Sequence, residues 1–253
     1  MPAQETLAPW PTVSSPTPAT RLPEAREQLI VALDFPTRTQ ASDLVDRLEG
    51  TCRWFKVGLE LFLAAGGSMV ETLRERDYSV FLDLKLHDIP NTVAGAVRSV
   101  GPLGAELLTI HAAGGPAMLA AAAEATAGLS HPMTLLAVTV LTSMDQAQLA
   151  ATGIALTPAE QALALSRMAY ASGIRGFVCS PEEAASLRAA TPEATLVTPG
   201  IRPAGAAIGD QKRIATPAAA LAAGANYLVV GRPITQAANP AEAAQAILTE
   251  MAG

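Results

Sequence analysis

The chain reads as an α/β protein, a single-domain (β/α)8 barrel of the TIM type. Three observations carry that reading. Short apolar, β-branched runs alternate with longer Ala-, Leu- and Glu-rich segments, eight times over. No run is followed by the Gly-x-Gly-x-x-Gly turn of a doubly wound open sheet. At 253 residues, 50% of them hydrophobic, the chain is long enough for one large core.

The start, MPAQETLAPWPTVSSPTPATRLPEAREQ, is rich in Pro, Ser and Thr. Such composition buries little apolar surface, so residues 1–26 are expected to form a poorly ordered extension, and 27–253 the barrel. The first strand is then LIVALD (29–34), ending in Asp34, with a helix over 39–49. WFKVG (54–58) carries Lys56 and precedes a helix over 66–77. VFLDLKL (80–86) carries Asp83 and Lys85, with Asp88 just beyond and a helix over 91–101. ELLTIHA (106–112) leads to a helix over 116–128. TLLAVTVLT (134–142) runs into Thr142 and Ser143. The helix over 158–172 opens on Thr157-Pro158, a capping residue before a first-turn proline. GFVCS (176–180) ends in Ser180-Pro181, which opens the helix over 181–190 in the same way. TLVTPG (195–200) leads into Arg202 and a helix over 216–223, and YLVVGR (227–232) into Gly231-Arg232. Asn239-Pro240 starts the last helix, over 240–251.

Composition excludes several roles. Net charge is −6 with a pI near 5.1, and there is no basic run, so neither nucleic acid nor an anionic membrane is an expected partner. No apolar run approaches the roughly 18–20 residues that cross a bilayer. The N-terminus lacks the basic start and apolar centre of a signal peptide, which points to the cytoplasm. Two cysteines, Cys52 and Cys179, make neither a disulfide framework nor a zinc pattern.

In a barrel, functional groups gather where strands end. That ring is polar here. In FLDLKLHDIPNT, alternation puts Phe81, Asp83 and Lys85 on one face and Leu82, Leu84 and Leu86 on the other. Parallel strands buried on both faces are normally apolar throughout. If the leucines meet the helices, Asp83 and Lys85 meet the barrel axis. A buried salt bridge would give the same pattern, but such pairs add little stability over apolar packing. The company of Asp34, Lys56 and Asp88 favours a functional array.

His87, His111 and His131 form no His-x-His or His-x-x-x-His pair, so no metal is expected. His87 and His111 read as packing or hydrogen-bonding residues, and His131-Pro132 as a turn. No Ser or Cys nucleophile sits beside a histidine base. What remains is an alternating carboxylate and ammonium array, able to stabilise a carbanion and then protonate it. Across the ring, Arg202, Gln211, Gly231 and Arg232 follow the seventh and eighth strands, where barrels often bind phosphate. PAGAAIGD, between Arg202 and Gln211, is small enough to act as a lid.

LDLKLHDIPNT, together with ALD, KVG, VTVLTS, TPGIRP and VVGRPI, resembles the bacterial-type orotidine 5′-phosphate decarboxylase family over about residues 28–250. The N-terminal extension is the clear departure. The resemblance implies decarboxylation of orotidine 5′-monophosphate to UMP and CO2 without metal or organic cofactor. It implies that Asp34 and Lys56 hold ribose hydroxyls, that Asp83 sits beside the substrate carboxylate, and that Lys85 gives a proton to C6. Thr142 and Ser143 would contact the pyrimidine, and Arg202, Gln211, Gly231 and Arg232 the phosphate. It also implies a homodimer, in which Asp88, Ile89 and Thr92 reach the neighbouring site. Two alternatives are weighed. Related sugar-phosphate decarboxylases and aldolases share Asp-x-Lys-x-x-Asp, but DIPNT, LTS and the phosphate-side glutamine argue against them. A silent phosphoribosyl-binding protein would be expected to carry a broken array.

Overall fold

The computed structural model describes residues 18–203 and 214–253. Eight parallel strands close into a barrel in sequence order, the fold expected from the alternation. They are β1 (Leu29–Ala32), β2 (Trp54–Gly58), β3 (Ser79–Leu86) and β4 (Leu107–His111), then β5 (Thr134–Val138), β6 (Gly176–Val178), β7 (Thr195–Thr198) and β8 (Tyr227–Val230). β1 pairs with β8 through Leu29–Leu228, Ile30–Val229 and Val31–Val230, which closes the ring.

The helices are α1 (Pro18–Gln28), α2 (Arg38–Arg47), α3 (Leu59–Ala65), α4 (Ser68–Glu75), α5 (Pro90–Val100) and α6 (Gly115–Thr126). After them come α7 (Gln146–Ala151), α8 (Pro158–Ala171), α9 (Pro181–Ala190), α10 (Pro217–Ala222), α11 (Arg232–Thr235) and α12 (Pro240–Ala252). The three Pro-led starts hold: Thr157 accepts from the Glu160 N–H, Asn239 from the Glu242 N–H, and Glu183 accepts from the Ser180 N–H.

The structure departs from the sequence reading in several places, among them the unexpected short helices α7 and α11. Residues 18–26, assigned to a poorly ordered extension, belong to α1. There Ala25 is buried, Leu22 packs on the core, and the Arg26 guanidinium reaches the Gly50 and Thr51 carbonyls. Tertiary packing overrides the Pro-rich composition. The segment after β2 forms α3 as well as α4. The fifth strand stops at Val138 rather than Thr142, and Thr142 and Ser143 lie in a turn before α7.

Two apolar layers result from strand alternation. Outward residues such as Val31, Phe55, Leu82 and Leu108 join the helices in the main core. Inward residues, including Ile30, Ala32, Trp54, Phe81, Leu107, Leu136, Val197 and Val229, fill the barrel interior. On the same inward parity, nearer the strands' C-terminal ends, come Lys56, Asp83 and Thr109.

Candidate active site

A cavity of about 530 Å3 opens at the C-terminal end of the strands. Asp34, Lys56, Asp83, Lys85, Thr142, Arg202, Gly231 and Arg232 line it. Residues assigned from six stretches of sequence thus meet in one place.

Its charged wall is a chain of ion pairs. Lys56 Nζ lies 2.8 Å from Asp34 Oδ1 and 3.5 Å from Asp83 Oδ2. Lys85 Nζ lies 2.8 Å from Asp83 Oδ1. Lys56 and Asp83 are each only 8% exposed, while Asp34 and Lys85 have more open side chains at the two ends. Burial works against charge on both inner groups. For Asp83 it is outweighed by Lys56 and Lys85, which with hydrogen bonds from Lys85 and Thr109 hold its carboxyl below the ordinary value. For Lys56 it is outweighed by Asp83 and Asp34, which hold the ammonium above its ordinary value.

Lys85 is reached by an unusual backbone. Its φ is +50°, in the left-handed region that long side chains rarely occupy. The β3–β4 register jumps here: Leu82 pairs with Leu108, but Leu86 pairs with Ile110. Three β3 residues therefore face one β4 residue, Thr109. The shared face of Asp83 and Lys85 expected from simple alternation is thus realised through a bulge.

Gly58, at the end of β2, matters for space. A Cβ there would sit 2.8 Å from Lys56 Nζ and 3.2 Å from Asp34 Oδ1, pushing apart the pair that closes this wall. At Gly231 a Cβ would meet only Ala32 and Asp34, at 3.7 and 3.9 Å. That glycine keeps the cavity open rather than relieving a clash.

On the opposite wall, Arg202 is buried, and its Nη1 donates to the Ile201 carbonyl at 2.8 Å. The backbone around it is pinned: Arg202 N–H donates to the Ala215 carbonyl, and Ala215 N–H to that of Gly200. Gln211 and the lid segment lie outside the described residues.

Four assigned residues stand apart from the cavity lining. Ser143 is exposed in the turn after β5. Asp88, Ile89 and Thr92 are exposed at the start of α5, with Ile89 67% open to solvent. Asp88 Oδ1 accepts from the Ile89 N–H. The His87 and His111 rings lie 5.3 Å apart at the rim, tilted by 41°. Burial, then the neighbouring His87 and Lys85, lowers the His111 pKa against the pull of Asp83. Among the described residues no three His, Cys, Asp or Glu side chains form a metal-binding group, and no helix is long and apolar enough to cross a membrane.

Sequence reasoning missed Thr109, Gly58, Phe35, Leu141, Cys179 and Gln236. All but the first two line the cavity. The signal for Thr109 was a lone hydroxyl in the apolar run LLTIH; for Gly58 it was the glycine ending WFKVG.

Comparison with known proteins shows the family. Residues 27–247 match the model of the orotidine 5′-phosphate decarboxylase / HUMPS family. A relative from Halorhodospira halophila, named orotidine 5′-phosphate decarboxylase, is 55% identical, covering 89% of this chain and 96% of its own. One of the same name from Pseudomonas putida is 51% identical, covering 89% and 97%. The crystal structure of orotidine 5′-phosphate decarboxylase from Lactobacillus acidophilus superposes with a TM-score of 0.77 at 39% identity, covering 88% and 98%. The chain belongs to the orotidine 5′-phosphate decarboxylase / HUMPS family.

Proposed function

We propose that Lys85 stabilises and then protonates the C6 carbanion in the reaction this chain catalyses, the decarboxylation of orotidine 5′-monophosphate to UMP and CO2. The observation that carries the assignment is the unbroken line Asp34–Lys56–Asp83–Lys85 along one cavity wall. When the C6–carboxylate bond breaks, its electron pair stays on C6 in an orbital the ring cannot delocalise well. An ammonium already fixed beside that carbon needs no reorganisation to stabilise it. The Lys85 N–H then gives C6 its proton, and the amine regains one from solvent. Asp83 faces the departing carboxylate with like charge.

Asp34 and Lys56 hold the ribose hydroxyls, and Thr142 and Ser143 the pyrimidine. Arg202, Gly231, Arg232 and Gln211 take the phosphate, with the guanidinium forks matching its oxygens. Binding energy at that distant end drives orientation at C6. The step draws on no metal or organic cofactor.

The active form is a homodimer in this reading. Asp88, Ile89 and Thr92 project outward rather than into their own cavity, and Leu59 and Leu63 on α3 are 52% and 77% exposed. A second copy covering these apolar groups would bring Asp88 to the neighbouring array. The net charge of −6 and buried free thiols at Cys52 and Cys179 suit the cytoplasm, and no membrane or nucleic-acid partner is assigned.

Purified protein treated with chelator should convert orotidine 5′-monophosphate to UMP, followed by loss of orotate absorbance. Turnover that needs added magnesium would instead favour the related sugar-phosphate enzymes.

A further inference from the structure

We propose that the Thr109 hydroxyl is a positioning residue for this reaction, setting the geometry of Asp83 and Lys85 together. The inference rests on the role of Lys85 argued above. Thr109 is fully buried in the middle of β4. Its Oγ1 accepts from the Lys85 backbone N–H at 2.8 Å and donates to Asp83 Oδ1 at 2.9 Å. One hydroxyl therefore uses its donor and an acceptor site on the two residues of the array that face the scissile bond.

The need for it follows from the bulge. Between the Leu82–Leu108 and Leu86–Ile110 pairs, β3 has three residues and β4 has one. Regular ladder bonding cannot serve all three. The Lys85 N–H is left to find another acceptor, and a buried N–H without one is costly. Thr109 supplies that acceptor and so holds Lys85 at φ +50°, a conformation that persists only when its surroundings fix it. The same hydroxyl fixes the rotation of the Asp83 carboxylate. Asp83 Oδ1 then takes both Thr109 and Lys85 Nζ, while Oδ2 faces Lys56. A hydrophobic side chain of the same shape would fill the space and do neither.

The charged and titratable groups around Asp83 are Lys56 on β2, Lys85 on β3, His111 on β4 and Asp34 beyond β1. Thr109 is one of the donors that keep Asp83 ionised at low pH. Its loss moves that titration upward.

The test compares Thr109→Val with Thr109→Ser in steady-state turnover of orotidine 5′-monophosphate across pH. Thr109→Val should lower kcat by about ten- to a hundredfold, the scale of losing one hydrogen bond to a charged group, and leave KM within about twofold. Its acid limb should move to higher pH. Thr109→Ser should recover most of the rate and the wild-type limb. Should the valine variant not fold, Thr109→Cys replaces the hydroxyl with a weak donor, and should be slow where serine is fast. Valine and serine variants equally impaired, with the limb unmoved, would reduce Thr109 to packing. A valine variant as fast as wild type would remove the positioning role alone. Wild-type protein inert toward this substrate would overturn the assigned reaction itself.

Discussion

The two ends of the barrel handle charge in opposite ways. At the C-terminal rim, Lys56 and Lys85 are answered by carboxylates, and the line ends at an ammonium facing the cavity. At the N-terminal end, arginines are answered mainly by the backbone. Arg188 on α9 donates to the Gly224, Pro192 and Ala194 carbonyls and to Asn226 Oδ1, and Asn226 in turn accepts from the Leu196 N–H. Arg74 reaches the Tyr78 carbonyl and Glu106, whose other oxygen accepts from the Val80 N–H. Arg26 holds the Gly50 and Thr51 carbonyls. The guanidinium fork satisfies several loop carbonyls at once and ties strand entries together. Charge at the lower end serves the fold; charge at the rim, in the proposed reading, serves the chemistry, in a place where apolar packing would do as well for stability.

Substitutions can break this contrast. Lys85→Ala should lower kcat by at least about a thousandfold, while stability to urea changes by no more than about 1 kcal/mol, because the side chain is partly open to solvent. A near-normal rate would remove Lys85 from the mechanism. Mixed with the separately inactive Asp88→Ala, it should regain some turnover through hybrid dimers with one intact site. No recovery despite proven subunit exchange would mean that each site is built from one chain.

Arg188→Ala should do the reverse. Several carbonyls lose their donor, at a cost of about 2–3 kcal/mol, or roughly 4–10 °C in Tm, with kcat per folded molecule unchanged. A large fall in kcat would erase the division between the two ends.

The smallest effect is in the pH dependence of stability. Asp83 is held below its ordinary value, so its contribution is complete above about pH 3.9 and is lost as pH falls through the lowered value. Lys56 is held above its ordinary value, so its contribution is complete below about pH 10.4 and is lost as pH rises through the raised one. In urea titrations, Asp83→Asn should remove the acid-side loss due to this group.

Legibility in the sequence follows the same division. Asp83 and Lys85 stood out because a strand buried on both faces has no ordinary reason to carry charge. Arg188 and Arg74 lie in helices, where a charged residue reads as solvated surface, so their roles at strand entries were invisible. Thr109 was hidden because a single hydroxyl is unremarkable among apolar neighbours, and its partner, the Lys85 N–H, is freed only by a bulge that no local pattern announces. Helix α1 was missed for another reason: its order comes from packing on α12 and from Arg26, not from propensity. Asp88, Ile89 and Thr92 were placed by motif, and in one chain they point away from their own cavity.

The left-handed turn of the chain at Lys85 sets two pressures against each other. Glycine would adopt that φ at little steric cost, so the barrel is locally more comfortable without its ammonium. Breeding this protein for thermal endurance alone would favour discarding the ammonium proposed here as the proton donor; any screen for sturdier variants must therefore score product as well as melting.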